Sequence, residues 1–553
     1  MNEAWWKRAT VYQIYPKSFQ DTTGDGTGDL QGVIKRLDYL QKLGVDVLWL
    51  TPVYQSPQND NGYDISDYYA IDPSYGTMED FEQLLEETHK RGMKLIMDLV
   101  INHTSTDHEW FRQAISSADN PYREFYIWKD PVDGKEPNNW QSKFGGSAWE
   151  YDEASGQYYL HLFDRTQADL NWENPEVREK LYEMMRFWAE KGIDGFRLDV
   201  INLISKDQDF PNDTTGDGRK FYTDGPRVHE FFHEMNQAVL EPHQLMTVGE
   251  MSSTSIDSCI LYTKPEREEL DMTFQFHHLK VDYPNGKKWT KAPFDFLELK
   301  RILSDWQKGM HKGGGWNALF WCNHDQPRAL SRFGDDTEHP RTSAKMLATT
   351  LHMMQGTSYI YQGEEIGMTN PRFTSIEQYR DVESLNAYKM LREQGKTEQE
   401  ILSILDQKSR DNARTPMQWS DEKHAGFTKG EPWIRAADNF REVNAENALD
   451  DTDSIFYHYQ KLIELRKQYD IITYGDYQLL LAEDKRVFAF TRNWQKEKIV
   501  VVSNFYGEET AAELPVDGLE DAELLLSNYQ GAAPIADEKI SLRPYESVVY
   551  HVK

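Results

Sequence analysis

The chain has 553 residues, 39% of them hydrophobic and 13% aromatic, which is enough for a large core and for several ordinary domains. Its 61 basic against 92 acidic residues give a net charge of -31, so nucleic acid and anionic membrane surfaces, both bound through cations, are excluded as natural partners. Two cysteines, Cys259 and Cys322, exclude a disulfide framework, and no apolar run approaches the ~18 residues of a spanning helix. Residues Met1 to Arg8 carry no apolar leader segment. The expectation is a reduced, cytoplasmic protein without membrane contact, and a monomer is compatible with the sequence.

In chain order, Val11 to Pro16 reads as a first strand. The segment Asp21 to Asp29 then places oxygen donors at every second position: Asp21, Thr23, Asp25, Thr27 and Asp29. Glycines between them permit a tight turn. The pattern resembles the first half of an EF-hand loop without the closing Glu. It reads either as a Gly/Asp-rich turn or as a Ca²⁺ site. Leu30 to Leu43 has apolar residues spaced by three and four, which predicts a helix with one buried face. Val47 to Leu50 is a short buried strand. Met78 to Lys90 is a helix with Thr77 as N-cap and acids in its first turn. Leu95 to Val100 is a strand that runs into Asn102-His103.

The alternation stops from 104 to 174, a stretch rich in Trp, Tyr, Asn and Gly that reads as an inserted irregular domain. It resumes with a helix over 175–191, a strand at Gly195 to Val200, a helix near 226–240 and a strand at Met246 to Gly249. Further strands are expected at Leu270 to Phe276, Asn317 to Trp321 and Tyr359 to Tyr361. Near-continuous apolar strands separated by helices require a parallel sheet covered on both faces. About eight such units predict a closed (β/α)8 TIM barrel, an α/β fold built from 1–103 and 175–471 with a polar subdomain at about 370–449. Short alternating segments rich in β-branched and aromatic residues follow. They predict an antiparallel β-sandwich over 472–553.

Three segments that close or follow apolar runs of strand length end in carboxylates: Gly195-Phe196-Arg197-Leu198-Asp199, Val248-Gly249-Glu250 and Asn323-His324-Asp325. In barrels of this kind the reacting groups sit at the C-terminal ends of the strands. One acid at a strand end is usually a cap or an ion-pair partner. Three, flanked by Arg197, His103 and His324, point to glycoside chemistry with two acting carboxyls. Asp199 is assigned as nucleophile. Arg197 lies two residues earlier, on the same strand face, where it would keep Asp199 ionised and oriented. Glu250 is assigned as acid/base, a role that needs a raised pKa. Asp325 would hold sugar hydroxyls and stabilise the oxocarbenium-like state. His103 and His324 could donate hydrogen bonds to the sugar.

These segments, with Asp98-Leu99-Val100-Ile101-Asn102-His103, resemble the four signature regions of the α-amylase family, glycoside hydrolase family 13. Gln167-Ala168-Asp169-Leu170-Asn171 resembles the extra region near the end of that family's inserted domain. The resemblance covers essentially the whole chain. It implies the barrel, an insert after strand three, a C-terminal β domain and a retaining mechanism. It also implies that Asp60, Tyr63 and Arg410 contact the terminal glucose, with Asp60 and Arg410 closing the pocket behind it and Tyr63 as a stacking platform. The α-glucosidase branch carries a similar loop that binds Ca²⁺, although this chain has Thr23 where Asn or Asp is frequent. No organic cofactor is implied.

Within the family the resemblance is nearest to trehalose-6-phosphate hydrolases and to oligo-1,6-glucosidases. Two features favour the first branch. Met251-Ser252-Ser253-Thr254 follows Glu250 where oligo-1,6-glucosidases typically continue Met-Pro-Gly, and the segment Phe276 to Lys291 resembles the phosphohydrolase pattern. A protein at -31 repels a sugar phosphate of about -2 unless cations gather locally. Lys280, Lys287, Lys288 and Lys291 are the densest cluster near a predicted strand end, and either bind the 6-phosphate or form a solvated loop. The expected substrate is a small sugar phosphate, trehalose 6-phosphate, with isomaltose-type ends as the alternative. Relatives that are not enzymes carry a membrane helix and generally lack the full acid set, so they fit poorly. A transferase or isomerase would share the covalent intermediate.

Overall fold

A computed structural model of the chain describes residues 4–531, 535–536 and 539–553. Eight parallel strands form the centre. They are β1 (Thr10–Ile14), β2 (Val47–Leu50), β3 (Lys94–Leu99), β4 (Gly195–Leu198), β5 (Met246–Glu250), β6 (Met272–Phe274), β7 (Ala318–Leu319) and β8 (Thr357–Tyr361). Strands β1 to β6 pair in sequence order, β8 pairs with both β1 and β7, and all of these pairings are parallel. A parallel bridge between Thr273 and Asn317 joins β6 to β7 and closes the ring. Helices such as Met78–Lys90, Pro175–Lys191, Phe296–Gly313 and Pro340–His352 lie between the strands. Val11, Leu48, Leu95, Phe196 and Val248 are fully closed to solvent, which is why these strands read as apolar runs rather than alternating ones.

Local chemistry explains both the matches and the departures. Thr77 caps its helix in a reciprocal box with Asp80, and Pro175 opens its helix after an Asn174 cap. The helix expected over 30–43 is two helices, Leu30–Lys35 and Leu37–Leu43, broken at Arg36. The Arg36 guanidinium bonds Gln20 Oε1 at 2.8 Å and lies 4.0 Å over the Trp419 ring. These long-range contacts outweigh local helix propensity. The helix expected near 226–240 is Val228–Met235, continued by a π turn over Asn236–Leu240. At the start of β4, a Cβ on Gly195 would lie 2.1 Å from Met246 O, so only glycine lets β4 and β5 approach there.

The insert carries two small antiparallel sheets rather than irregular chain alone. His103–Ser105 pairs with Gln167–Asp169, and Gln157–Leu160 lies between Trp128–Lys129 and Trp149–Asp152. Its core of Trp140, Trp149 and Leu160 is shared with Leu203 and Phe210 from the segment after β4. This packing presses the insert onto the C-terminal mouth of the barrel. The polar stretch after β8 forms helices Val382–Glu393 and Glu398–Lys408 around Phe373, Tyr379, Leu391, Ile401 and Leu405.

The C-terminal region holds a five-stranded antiparallel sheet of β9 (Gln478–Leu480), β10 (Val487–Trp494), β11 (Glu497–Asn504), β12 (Glu523–Ser527) and β13 (Ser547–Val552). A second antiparallel sheet includes Thr510–Glu513 and Lys539–Leu542. Val487, Val500, Val502, Ile540 and Val548 fill the space between the sheets, which makes the expected sandwich. No helix among the described residues is long and apolar enough to cross a membrane.

Candidate active site

The C-terminal ends of β3, β4 and β5 converge on one guanidinium. Arg197 Nη1 lies 2.7 Å from Asp98 Oδ1 and 2.6 Å from Asp199 Oδ1, and its Nη2 lies 2.6 Å from Glu250 Oε2. Arg197 is fully buried, so it orients carboxylates and does not itself line the cavity. The pairing follows from strand geometry. Arg197 and Asp199 share a face two residues apart, and parallel register sets Arg197 beside Asp98. Tyr63 Oη and Trp49 Nε1 donate to the other oxygen of Asp98 at 2.9 and 3.2 Å.

Directly after Asp199, Val200 sits at φ 36 and ψ 37. A β-branched residue is strained in this left-handed region. The conformation aims the Val200 N–H at Glu250 Oε2, 3.2 Å away. Glu250 Oε2 is thus held by two donors, Arg197 and Val200 N–H, while Glu250 lines the cavity.

Electrostatics separate the two acids. Asp199 and Glu250 are only 7% and 8% exposed. Burial pushes Glu250 up to about 8, against the pull of Arg197 and helped by the neighbouring Asp199 and Asp325. Burial also lifts Asp199, but Arg197 restrains it to about 6. Arg197 thus orients Asp199 and, with a value of about 6, leaves it ionised at neutral pH, while desolvation, the larger effect, keeps it above the ordinary carboxylate range. Between these values one carboxyl is ionised and its neighbour protonated. That is the division of labour two acting carboxyls require.

Asp325 stands opposite. Arg414 Nη2 lies 2.6 Å and Arg410 Nη1 3.4 Å from its Oδ1. Burial works against ionisation here, but the guanidiniums of Arg410, Arg414 and Arg197 outweigh it and, with His324 alongside, hold Asp325 well below the usual carboxylate range. His324 lies in a stack, with Tyr63 at 5.2 Å on one side and Tyr15 at 6.0 Å on the other. Its Nδ1 meets Gln13 Nε2 at 2.8 Å and its Nε2 faces Asp325 Oδ2 at 3.3 Å. Burial pushes it down to about 3, so the ring is neutral.

The cavity measures about 270 Å³. Its inner end is closed by Asp60 and Arg410, which meet at 3.0 Å. Arg410 is held from behind by Asp381 at 2.5 Å. Burial pushes Asp60 up to about 7 despite Arg410 and Arg414. Tyr63 and His103 line the wall, with His103 Nε2 3.1 Å from Tyr63 O.

The four lysines expected for phosphate separate. Lys280 and Lys288 line the cavity; Lys287 and Lys291 do not. Lys291 Nζ bonds Ser403 Oγ at 2.8 Å on the surface. Lys288 Nζ bonds both oxygens of Glu383 at 2.7 Å. Sequence reasoning missed Arg414, Asp381 and Lys143, which lines the cavity and bonds Ser252 Oγ at 3.1 Å. Arg414 left a signal: it lies four residues after Arg410, a spacing that puts both guanidiniums on one face. Lys143 left none, because it reaches the cavity from the insert.

The Asp21–Asp29 loop is held by hydrogen bonds. Asp21 accepts from the backbone of Thr23, Gly24 and Gly26 and from Thr428 Oγ1, and Asp29 caps the helix Leu30–Lys35 through Gly32 N. Among the described residues no three His, Cys, Asp or Glu side chains converge on a point suited to a metal. Asp21, Asp25 and Asp29 therefore do not share one point, and Asp29 is already taken up by Gly32 and Thr22; the donors the loop offers are all oxygens, the kind that suits a hard cation.

Comparison with known proteins agrees with this architecture. A family model described as "Alpha amylase, catalytic domain" matches residues 13–475, and one described as "Alpha-amylase SusG C-terminal domain" matches 487–549. The chain is 66% identical over 552 residues to the trehalose-6-phosphate hydrolase of Bacillus subtilis (strain 168), spanning 99% of this chain and 98% of that protein. It is 54% identical over 561 residues to the oligo-1,6-glucosidase of Parageobacillus thermoglucosidasius, spanning all of both. The crystal structure of Bacillus licheniformis trehalose-6-phosphate hydrolase superimposes with a TM-score of 0.96 at 65% identity, covering 100% of each chain.

Proposed function

The chain belongs to the alpha-amylase family of glycoside hydrolases, and from that premise we propose that it is a retaining glucosidase that hydrolyses trehalose 6-phosphate to glucose and glucose 6-phosphate. The observation that carries the chemistry is Arg197 bridging Asp199 and Glu250, two carboxyls poised on opposite sides of neutrality. With Oδ1 of Asp199 held by Arg197, its Oδ2 attacks the anomeric carbon. Glu250 passes its proton to the departing oxygen of glucose 6-phosphate. A glucosyl ester of Asp199 results. Glu250, now a carboxylate, takes a proton from water as that water attacks the same carbon, which releases glucose and frees Asp199. Asp325 stays ionised and stabilises the positive charge that develops on the sugar.

The blocked inner end, Asp60 with Arg410, supports attack on a terminal glucose. The phosphate preference is supported by the trehalose-6-phosphate hydrolases among the relatives and by Lys280 and Lys143 on the cavity wall of a chain at -31. Comparing kcat/KM on trehalose 6-phosphate, trehalose and isomaltose tests this reading. The phosphorylated sugar should lead by at least about 100-fold. A preference for isomaltose would favour the oligo-1,6-glucosidase reading that the relatives at 54% identity suggest.

The pH profile follows from the two acids. With an unphosphorylated glucoside, so that substrate ionisation does not intrude, kcat/KM should rise through about 6 as Asp199 ionises and fall through about 8 as Glu250 loses its proton. A profile without an alkaline limb would contradict the role of Glu250.

We also read the Asp21–Asp29 loop as a structural Ca²⁺ site. Binding there should raise Tm by a few degrees in millimolar calcium relative to a chelator, because a ligand of the folded state stabilises it by mass action. An unchanged Tm would leave the loop as a turn held by its own hydrogen bonds.

A further inference from the structure

We infer that the 6-phosphate is held by Lys143, Lys280 and Arg219 around the hydroxyl of Ser252, and not by Lys288. This assignment rests on the trehalose 6-phosphate reading.

Four elements bring these groups together. Lys143 comes from the insert, Arg219 from the loop after β4, Ser252 and Ser253 from the turn after Glu250, and Lys280 from the segment after β6. Lys143 Nζ bonds Ser252 Oγ at 3.1 Å. Arg219 Nη1 reaches Ser253 Oγ at 3.5 Å and its Nη2 pairs with Asp217 at 3.0 Å. Lys143 lines both the catalytic cavity and an adjoining cavity of about 600 Å³, which Arg219 also lines. The cluster therefore stands where the catalytic cavity opens outward, on the leaving-group side of Glu250.

The charges do not balance within the cluster. Among the described residues Asp217 is the one carboxylate ion-paired with any of the three cations. Lys280 has no ion-pair partner among the described residues, and the charge that bears on it is Arg219. Burial, Arg219 and Lys280 together push Lys143 down to about 7, with Asp217 and Glu250 opposing. Mutually repelling cations with only serine hydroxyls to accept from them are unfavourable alone. A dianion that accepts from all of them removes the repulsion. Lys288 differs: Glu383 takes its charge through both oxygens at 2.7 Å, so the pair offers an anion little net attraction. Serines at 252 and 253 also keep the turn after Glu250 polar.

The test compares kcat/KM on trehalose 6-phosphate with that on p-nitrophenyl α-glucoside, as a ratio, for wild type and variants. In Lys143→Met/Lys280→Met the ratio should fall about 100-fold or more, chiefly through KM for the phosphorylated sugar. Lys143→Met alone should show most of one decade, which keeps the test readable if the double variant folds poorly. Lys143→Arg should recover most of the ratio. Lys288→Met should lower it less than about threefold. An unchanged ratio in the double variant, or a loss in Lys288→Met as large as in Lys143→Met, overturns the assignment and leaves the substrate reading standing. A wild-type enzyme with no preference for the phosphorylated sugar overturns both.

Discussion

Asp199→Asn should lower kcat by about 10⁴-fold or more on phosphorylated and unphosphorylated glucosides alike, because it removes the atom that forms the bond to carbon. Asn keeps the size of the side chain, and its carbonyl can still accept from Arg197, which lies 2.6 Å from Asp199 Oδ1. The fold and KM should therefore change little. Substrates of every leaving group depend on this step, so an activated leaving group should not rescue the variant. Intact-mass measurement should find no glucosyl adduct. The substitution also removes an anion beside Glu250, whose pKa Asp199 helps to raise, so the acid/base should ionise at lower pH in the variant. A kcat loss below tenfold would place the nucleophile elsewhere.

Glu250→Gln should have the second-largest effect, and one that depends on the substrate. The leaving group of trehalose 6-phosphate is a sugar hydroxyl, a poor one without a proton, so kcat on it should fall by about 10³- to 10⁴-fold. A nitrophenolate leaves without help. On that substrate the first step should survive, and the glucosyl ester of Asp199 should accumulate for want of a base to activate water. A burst of nitrophenol followed by slow turnover is expected. Azide, a nucleophile that needs no deprotonation, should restore turnover and yield glucosyl azide. The alkaline limb near 8, assigned to Glu250 by its burial, should vanish. Equal losses on both substrates with no effect of azide would contradict the acid/base assignment.

The parts of the site that the sequence made legible are those fixed by strand geometry. Arg197 and Asp199 are two residues apart on one strand, so their meeting is a property of the pleat. Glu250 closes an apolar strand that must be a neighbour in a parallel barrel. The C-terminal β domain was equally readable from its short segments rich in β-branched and aromatic residues between turn signals, although its central strands, Val487–Trp494, Glu497–Asn504 and Ser547–Val552, are buried on both faces. What stayed hidden depends on partners distant in sequence. Lys288 looks like a free cation until the helix Val382–Glu393 brings Glu383 to it. Lys143 sits in a polar stretch of the insert and gains its place only when Trp140 and Trp149 pack against Phe210. The break at Arg36 needs Trp419, nearly four hundred residues away. Desolvation is also invisible in a sequence, which is why the balance at Asp199 between burial and Arg197 could not be read from their spacing.

The most direct test of a retaining phosphotrehalose hydrolase is the configuration of the first product. Proton NMR of trehalose 6-phosphate with the enzyme, recorded before mutarotation, should show the substrate consumed and free glucose appearing first as the α-anomer. Glucose appearing first as the β-anomer, or trehalose 6-phosphate left intact under conditions where isomaltose is cleaved, would contradict the account.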